Sequence, residues 1–322
     1  MLRRDNPASG AVMGVEKVRF LVTGAGGFVG SHIARLLVQQ GHSVFIIERP
    51  ESSLQRLSDC IDGMEVRRTD LADSAAVRQI VLEAKPDCAI HSAWYVVPGR
   101  YWTAPENLDC VIMSLSLAQI LAGSGCKRLV GIGSCFEYDY DYGYLSESLT
   151  PLKPRTLYAV SKDATRSVLE SFCRGAAMSF AWTRVFYLYG PGEPEARLVP
   201  AVVLALMKGT EAKCTEGFQV RDYLCVEDVA SAIIAVAQSK FEGTVNVGSG
   251  EPVTIRALVQ LLGDILGRTD LLAFGAVKTN PVDPPFVLAD VRRLRNEIGW
   301  RPSSSLKEAL HRTVQWWMEN HS

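Results

Sequence analysis

The eight residues TGAGGFVG at positions 23–30 constrain this chain more than any other stretch. They follow the apolar run VRFLV and open a segment of helical periodicity, FVGSHIARLLVQQG, so the glycines fall at a strand-to-helix turn. Gly24, Gly27 and Gly30 form a GxxGxxG array. The first glycine permits a tight turn, the second lets backbone approach a pyrophosphate, and the third brings helix and strand close together. The helix that follows aims its free N–H groups at the phosphates, with Phe28 and Val29 in the same turn. A dinucleotide site is the reading that this placement favours over an ordinary tight turn.

The rest of the first half repeats the same alternation. KVRFLVTG, SVFIIE, MEVRRTD, DCAIHSA and KRLVGIGS read as strands, and SAAVRQIVLEAK among the intervening stretches reads as a helix. Strands alternating with helices imply parallel pairing and right-handed crossovers. The expected fold is therefore α/β, a doubly wound parallel (Rossmann) sheet over residues 17–185, to which 222–250 return. Residues 186–221 and 251–322, looser and richer in Pro and Gly, are expected to form a smaller, irregular α/β part that binds substrate. Three more helices are predicted in LCVEDVASAIIAVAQSK, TIRALVQLLGDILG and SLKEALHRTVQWWMEN.

Charge and composition narrow the partners. A net charge of −1 with scattered basic residues gives no nucleic-acid footprint. No apolar run reaches the length of a membrane span. The N-terminal MLRRDNPASGAVMG lacks the apolar stretch of a signal peptide, so residues 1–16 read as a disordered extension. Eight cysteines without a CxxC pair or a Cys/His cluster point to a reduced, cytoplasmic protein with no metal site.

Two further features carry chemistry. The second strand ends at Glu48, where a carboxylate would hold the adenosine ribose hydroxyls of NAD. Arg49, Ser52, Ser53 and Arg56 follow directly and could instead grip the extra phosphate of NADP; the arginines tip the expectation towards NADP, with NAD close behind. Tyr158 and Lys162, in TLYAVSK, stand one helical turn apart. A phenol beside an ammonium is a candidate acid/base wherever a reacting group sits next to it.

Taken together, these motifs resemble the extended short-chain dehydrogenase/reductase family, from about residue 17 to the C-terminus. The resemblance rests on the glycine loop, TDL at Asp70 and Leu71, HSA with Ser92 and Ala93, GSCFEY, the Tyr158/Lys162 pair, TRVFYLYGPG, QVRDYLCVEDVA and VNVGSG, in that order. It implies that Asp70 and Leu71 contact the adenine, that Ser92, Ala93 and Phe186 line the cofactor site, and that Lys162 anchors the nicotinamide ribose and lowers the pKa of Tyr158. It also implies a third catalytic member, Ser134, four residues before Tyr138. Tyr158 would pass a proton to or from a sugar oxygen held by Ser134. Related dehydratases carry Asp-Glu directly after that Ser or Thr; here Cys135 and Phe136 stand there, and strand alternation turns Glu137 away. A nucleoside-diphosphate sugar is then the implied substrate, and 4-ketoreduction of a 4-keto-6-deoxyhexose is favoured over epimerisation by the variant RVFYLYGPGE, which has Tyr187 where many relatives have Asn. A dinucleotide-binding sensor without chemistry is the remaining alternative.

On the substrate side, Arg221 matches the family arginine that contacts the diphosphate, against a rival pairing with Asp222. Gln219, Leu198 and Val199 resemble the segment that cradles the base. Trp94, Tyr95 and Tyr142, from two aromatic loops, could stack on the sugar or simply pack. His91 reads as a core histidine. Relatives pair through the helices ENLDCVIMSLSLAQILAG and the one bearing Tyr158, so a homodimer is expected.

Overall fold

The computed structural model describes residues 17–321, and the predicted N-terminal extension lies outside them. Seven strands, β1 (Arg19–Thr23), β2 (Ser43–Glu48), β3 (Met64–Arg68), β4 (Cys88–His91), β5 (Arg128–Ser134), β7 (Ser179–Val185) and β11 (Gly243–Val247), form one sheet. Their order across it is β11-β7-β5-β4-β1-β2-β3, and every neighbouring pair is parallel. The order reverses between β1 and β4, and ligands of this fold bind at the carboxyl ends beside that reversal.

Strand alternation explains why both faces are covered. In β1, Phe20 and Val22 face one core with α1 (Phe28–Gln39) and α6 (Val226–Gln238), whereas Leu21 faces the opposite core with α2 (Ser74–Ala84), α3 (Glu106–Gly123) and α4 (Leu157–Gly175). The sheet thus reads as near-continuous apolar runs, and Trp182 on β7 is the largest side chain it buries completely. Local chemistry fixes the helix starts: Asp73 accepts from Ala76 N to cap α2, and Thr156 accepts from Ala159 N to cap α4. That second cap sets Tyr158 in the first turn of α4.

A second sheet joins the two parts of the chain. It comprises β6 (Tyr144–Leu145), β8 (Tyr187–Tyr189), β10 (Val220–Cys225), β12 (Pro252–Thr254) and β14 (Phe286–Ala289), in the order β12-β10-β14-β6 with β8 added beside β10. A separate pair is formed by β9 (Ala212–Lys213) and β13 (Leu272–Ala273). Strand β6 lies within the stretch expected to be purely Rossmann-like, but Gly143, at φ +69°, turns the chain out of it to pair with β14. Three helices, α5 (Leu198–Met207), α7 (Ile255–Leu266) and α9 (Leu306–Asn320), enclose a separate core around Val203, Leu258, Leu310 and Trp317, and the short α8 (Arg292–Asn296) packs near β11. No described helix is long and apolar enough to cross a membrane.

Candidate active site

A cavity of about 1100 Å³ opens where the parallel strands end and extends towards α5. Its first wall is the glycine loop. Gly24 adopts φ +72°, and a Cβ there would lie 2.6 Å from Ala93 N. At Gly30 a Cβ would meet Gly24 O at 2.1 Å, so Gly30 seats α1 against the loop from behind and does not line the cavity. Gly27, by contrast, has only Gly24 O near its absent side chain, at 3.1 Å, and faces the open space. Helix α1 begins at Gly27 without a side-chain cap, which leaves its first N–H groups free for an anion. The cradle therefore suits a pyrophosphate.

Glu48 stands at the end of β2, buried, and accepts a hydrogen bond from Gly26 N at 2.9 Å. Burial raises its carboxyl pKa while that backbone bond opposes the rise. The arginines that suggest NADP line the cavity and have partners of their own. Arg49 pairs with exposed Glu51, and Arg56 donates to the carbonyls of Gly192 and Gly26 at 3.0 and 3.4 Å. Arg68 donates to the carbonyls of Arg49 and Ser52. Ser52, Asp70, Leu71, Ser92, Ala93 and Phe186 line the same half of the cavity, as do Phe28 and Val29. Asp70 closes a turn by accepting from Ala72 N at 2.8 Å.

Ser134, Tyr158 and Lys162 meet at the far end of β5. All three are buried and line the cavity, and the Ser134 side chain favours the ionised form of the Tyr158 phenol. Lys162 Nζ donates to Ile132 O at 2.7 Å and lies 3.8 Å from the centroid of the Trp94 ring. Trp94 is itself fixed, since its Nε1 donates to Asn107 Oδ1 at 2.8 Å. The ammonium is 6.0 Å from the Tyr158 ring centroid, and burial pushes the phenol well above its ordinary pKa. Burial brings Lys162 down to about 7. His91, predicted to be a core histidine, is bonded to Thr23 and Ser114 and brought down to about 3, so it stays neutral.

Aromatic rings build the substrate half. Tyr101 and Trp102 meet Tyr158 edge-on at 4.8 and 5.9 Å, Phe136 lies 4.8 Å from Trp102, and Tyr187 lies 6.0 Å from Phe136. Trp94, Tyr95, Cys135, Leu198 and Val199 also line it, whereas Tyr142 is exposed and does not. Gln219 and Arg221 are not in the lining; Arg221 lies 5.2 Å from the Tyr187 ring centroid, and Gln219 donates to Asp283 at 3.3 Å. The Arg221 guanidinium is held by Asp283 at 2.7 Å; the rival partner Asp222 instead accepts from the backbone of Ser249, Gly250 and Ala289. Arg197, at the N-cap of α5 and 5.6 Å from the Tyr101 ring, does line the cavity. Sequence reasoning passes over Arg197, Tyr101, Trp102 and Glu193; all stand in stretches marked as aromatic or Pro/Gly-rich, but only tertiary packing shows which of their residues face inward. Glu193 carries one buried, unbonded carboxylate oxygen, and burial pushes it up to about 8.

No carboxylate stands at the two positions after Ser134. Cys135 and Phe136 form a single 3₁₀ turn with Glu137, whose carboxylate folds back beneath β5 and away from the cavity.

Comparison with known proteins agrees with this layout. Residues 20–248 match the NAD-dependent epimerase/dehydratase family. A dTDP-glucose 4,6-dehydratase of Neisseria gonorrhoeae is 24% identical, over 94% of this chain and 96% of its own length. Among solved structures, the UDP-N-acetylglucosamine 4-epimerase of Methanobrevibacter ruminantium M1, in complex with UDP-N-acetylmuramic acid, superposes with a TM-score of 0.84 at 26% identity, covering 95% of this chain and 99% of that one. The UDP-glucose 4-epimerase of Thermus thermophilus, in complex with NAD, gives 0.81 at 25% identity, covering 94% and 99%.

Proposed function

The chain belongs to the NAD-dependent epimerase/dehydratase family, of the extended short-chain dehydrogenase/reductase type, and from that premise we propose that it is a 4-ketoreductase of a nucleoside-diphosphate 4-keto-6-deoxyhexose. The observation that carries this reading is the proton inventory beside Ser134. Tyr158 and Ser134 face the same cavity, and Cys135 and Phe136 add no carboxylate. Reduction of a carbonyl needs one proton donor at that oxygen; elimination of water needs a separate acid and base.

The residues divide the work simply. Lys162 holds the ribose next to the nicotinamide, and the bound nicotinamide supplies the hydride. Ser134 donates a hydrogen bond to the carbonyl oxygen and fixes it opposite Tyr158. Tyr158 gives its proton to that oxygen as negative charge develops there. A buried phenol held in its protonated form suits a donor, and so suits the reductive direction. The aromatic wall of Tyr101, Trp102 and Phe136 offers an apolar surface to a deoxysugar. Arg197, with the free N–H groups that open α5, is placed to take the diphosphate.

We propose NAD(H) as the cofactor, in place of the NADP that the arginine cluster suggests. Glu48 puts a carboxylate where a 2′-phosphate would be repelled, and Arg56 is already spent on two carbonyls. That same carboxylate supports a second reading, a 4-epimerase with retained NAD, which relatives with that activity also support. A homodimer through α3 and α4 is proposed as well, from the exposed apolar residues described below.

Incubation with the dTDP-linked 4-keto-6-deoxyglucose separates the two readings. A reductase consumes NADH absorbance stoichiometrically with sugar, and faster than NADPH. No loss with either cofactor, together with interconversion of UDP-glucose and its 4-epimer, would instead establish the epimerase.

A further inference from the structure

Glu137 is completely buried, three residues past Ser134. Its Oε1 accepts from Ser134 N at 2.8 Å and from Trp182 Nε1 at 3.0 Å, and its Oε2 accepts from Arg184 Nε at 2.6 Å. Trp182 and Arg184 are alternate residues of β7, so both point to the same face, opposite Gly131 and Gly133 of β5. The carboxylate fits there because Gly133 has no side chain: a Cβ would lie 2.4 Å from Glu137 Oε1 and 2.1 Å from Trp182 Nε1. Arg184 is packed 4.3 Å from the Tyr138 ring centroid, and the Tyr138 hydroxyl donates to Asn246 at 2.8 Å. This is a built, buried network that meets the cavity at the Ser134 amide and, through the Trp182 ring 6.0 Å from Lys162 Nζ, beside Lys162.

We propose that Glu137 is a positioning residue for Ser134, holding its backbone amide so that the hydroxyl stands against Tyr158. The inference rests on the role given to Ser134 above. Two tethers define the serine: its N–H is held by Glu137, and its Oγ accepts from Phe136 N at 3.3 Å. With the amide and one lone pair fixed, the hydroxyl hydrogen is left for the substrate side. Without the carboxylate, the amide at the end of β5 becomes a buried donor with no acceptor, and the turn must shift to satisfy it. Displacement of a reacting group by about 1 Å costs on the order of 100-fold in rate.

The test pairs substitutions, because removing the acid alone leaves Arg184 as an uncompensated buried charge. Glu137→Gln with Arg184→Met keeps an oxygen facing Ser134 N; Glu137→Leu with Arg184→Met does not. Assayed with NADH and the dTDP-linked ketosugar, the leucine pair is expected to show a kcat lower than the glutamine pair by on the order of 100-fold. KM, and NADH affinity read from tryptophan quenching, should stay level between the two. In a Ser134→Ala background the same change should add nothing. Glu137→Asp, which keeps the charge beside Arg184 but draws the oxygen back by one methylene, gives the same signature should the leucine pair fold poorly. Equal rates in the two pairs, or a full further loss on top of Ser134→Ala, would overturn the inference. A full rate in Ser134→Ala itself would overturn the reading of the site, and this inference with it.

Discussion

Lys162 carries its charge without a carboxylate bonded to it among the described residues; a carbonyl at 2.7 Å and the Trp94 ring face are its contacts. Burial lowers its pKa from 10.5 to about 7. The unfolded chain keeps that proton up to its ordinary value, whereas the folded chain releases it about pH 7, so the unfolded state binds more protons in between. Stability contributed by this group therefore rises with pH across that window and is lost as pH falls towards 7. Chemical denaturation of the cofactor-free protein at the two ends of the window should show this rise, and Lys162→Met should flatten it. Identical slopes for the two proteins would mean that the amine is not desolvated as described. Residue spacing along α4 is legible and gives Tyr158 and Lys162 a shared face, but it cannot give the depth of burial, which raises the Tyr158 phenol.

Elements are legible where a local rule decides them. The strand–glycine–helix unit, five strands and the helices at α6, α7 and α9 lie where periodicity places them. Helix α5 reads in the sequence only as a base-cradling segment because Pro200 interrupts it, but a proline in the first turn lacks only an N–H that has no helical partner anyway. Strands β6 and β14 are not legible, since two and four residues become strands only when a distant partner is supplied. Helices α3 and α4 pack side by side and leave Leu108, Ile112, Val160 and Val168 between 46% and 67% exposed. Leu108 and Ile112 share one face of α3. An apolar stripe on adjacent helices fits a symmetric contact with a second copy. Sedimentation should give a dimer for the wild type and a monomer for Ile112→Lys with Val168→Lys, without loss of helical signal; a monomeric wild type would remove the stripe's proposed role.

At the scale of the molecule, the topology brings three independent pieces to one cavity: the glycine cradle from β1 and α1, the Ser134–Tyr158–Lys162 group from β5 and α4, and Arg197 from α5. Fixed local spacing identifies the glycine cradle and the Tyr158/Lys162 pair, and the family resemblance adds Ser134. The third, and the place of Arg221 outside the lining, depend on how the second sheet docks, which no local spacing records. The central claim is that the Tyr158 phenol delivers the proton to a nucleotide sugar while the dinucleotide is bound beside it. Single-turnover reduction of the dTDP-linked ketosugar by NADH, compared between wild type and Tyr158→Phe, tests it most directly. The account predicts a rate lower by a factor on the order of 10²–10⁴ in the variant, with NADH affinity unchanged. Reduction at the wild-type rate by Tyr158→Phe would contradict it.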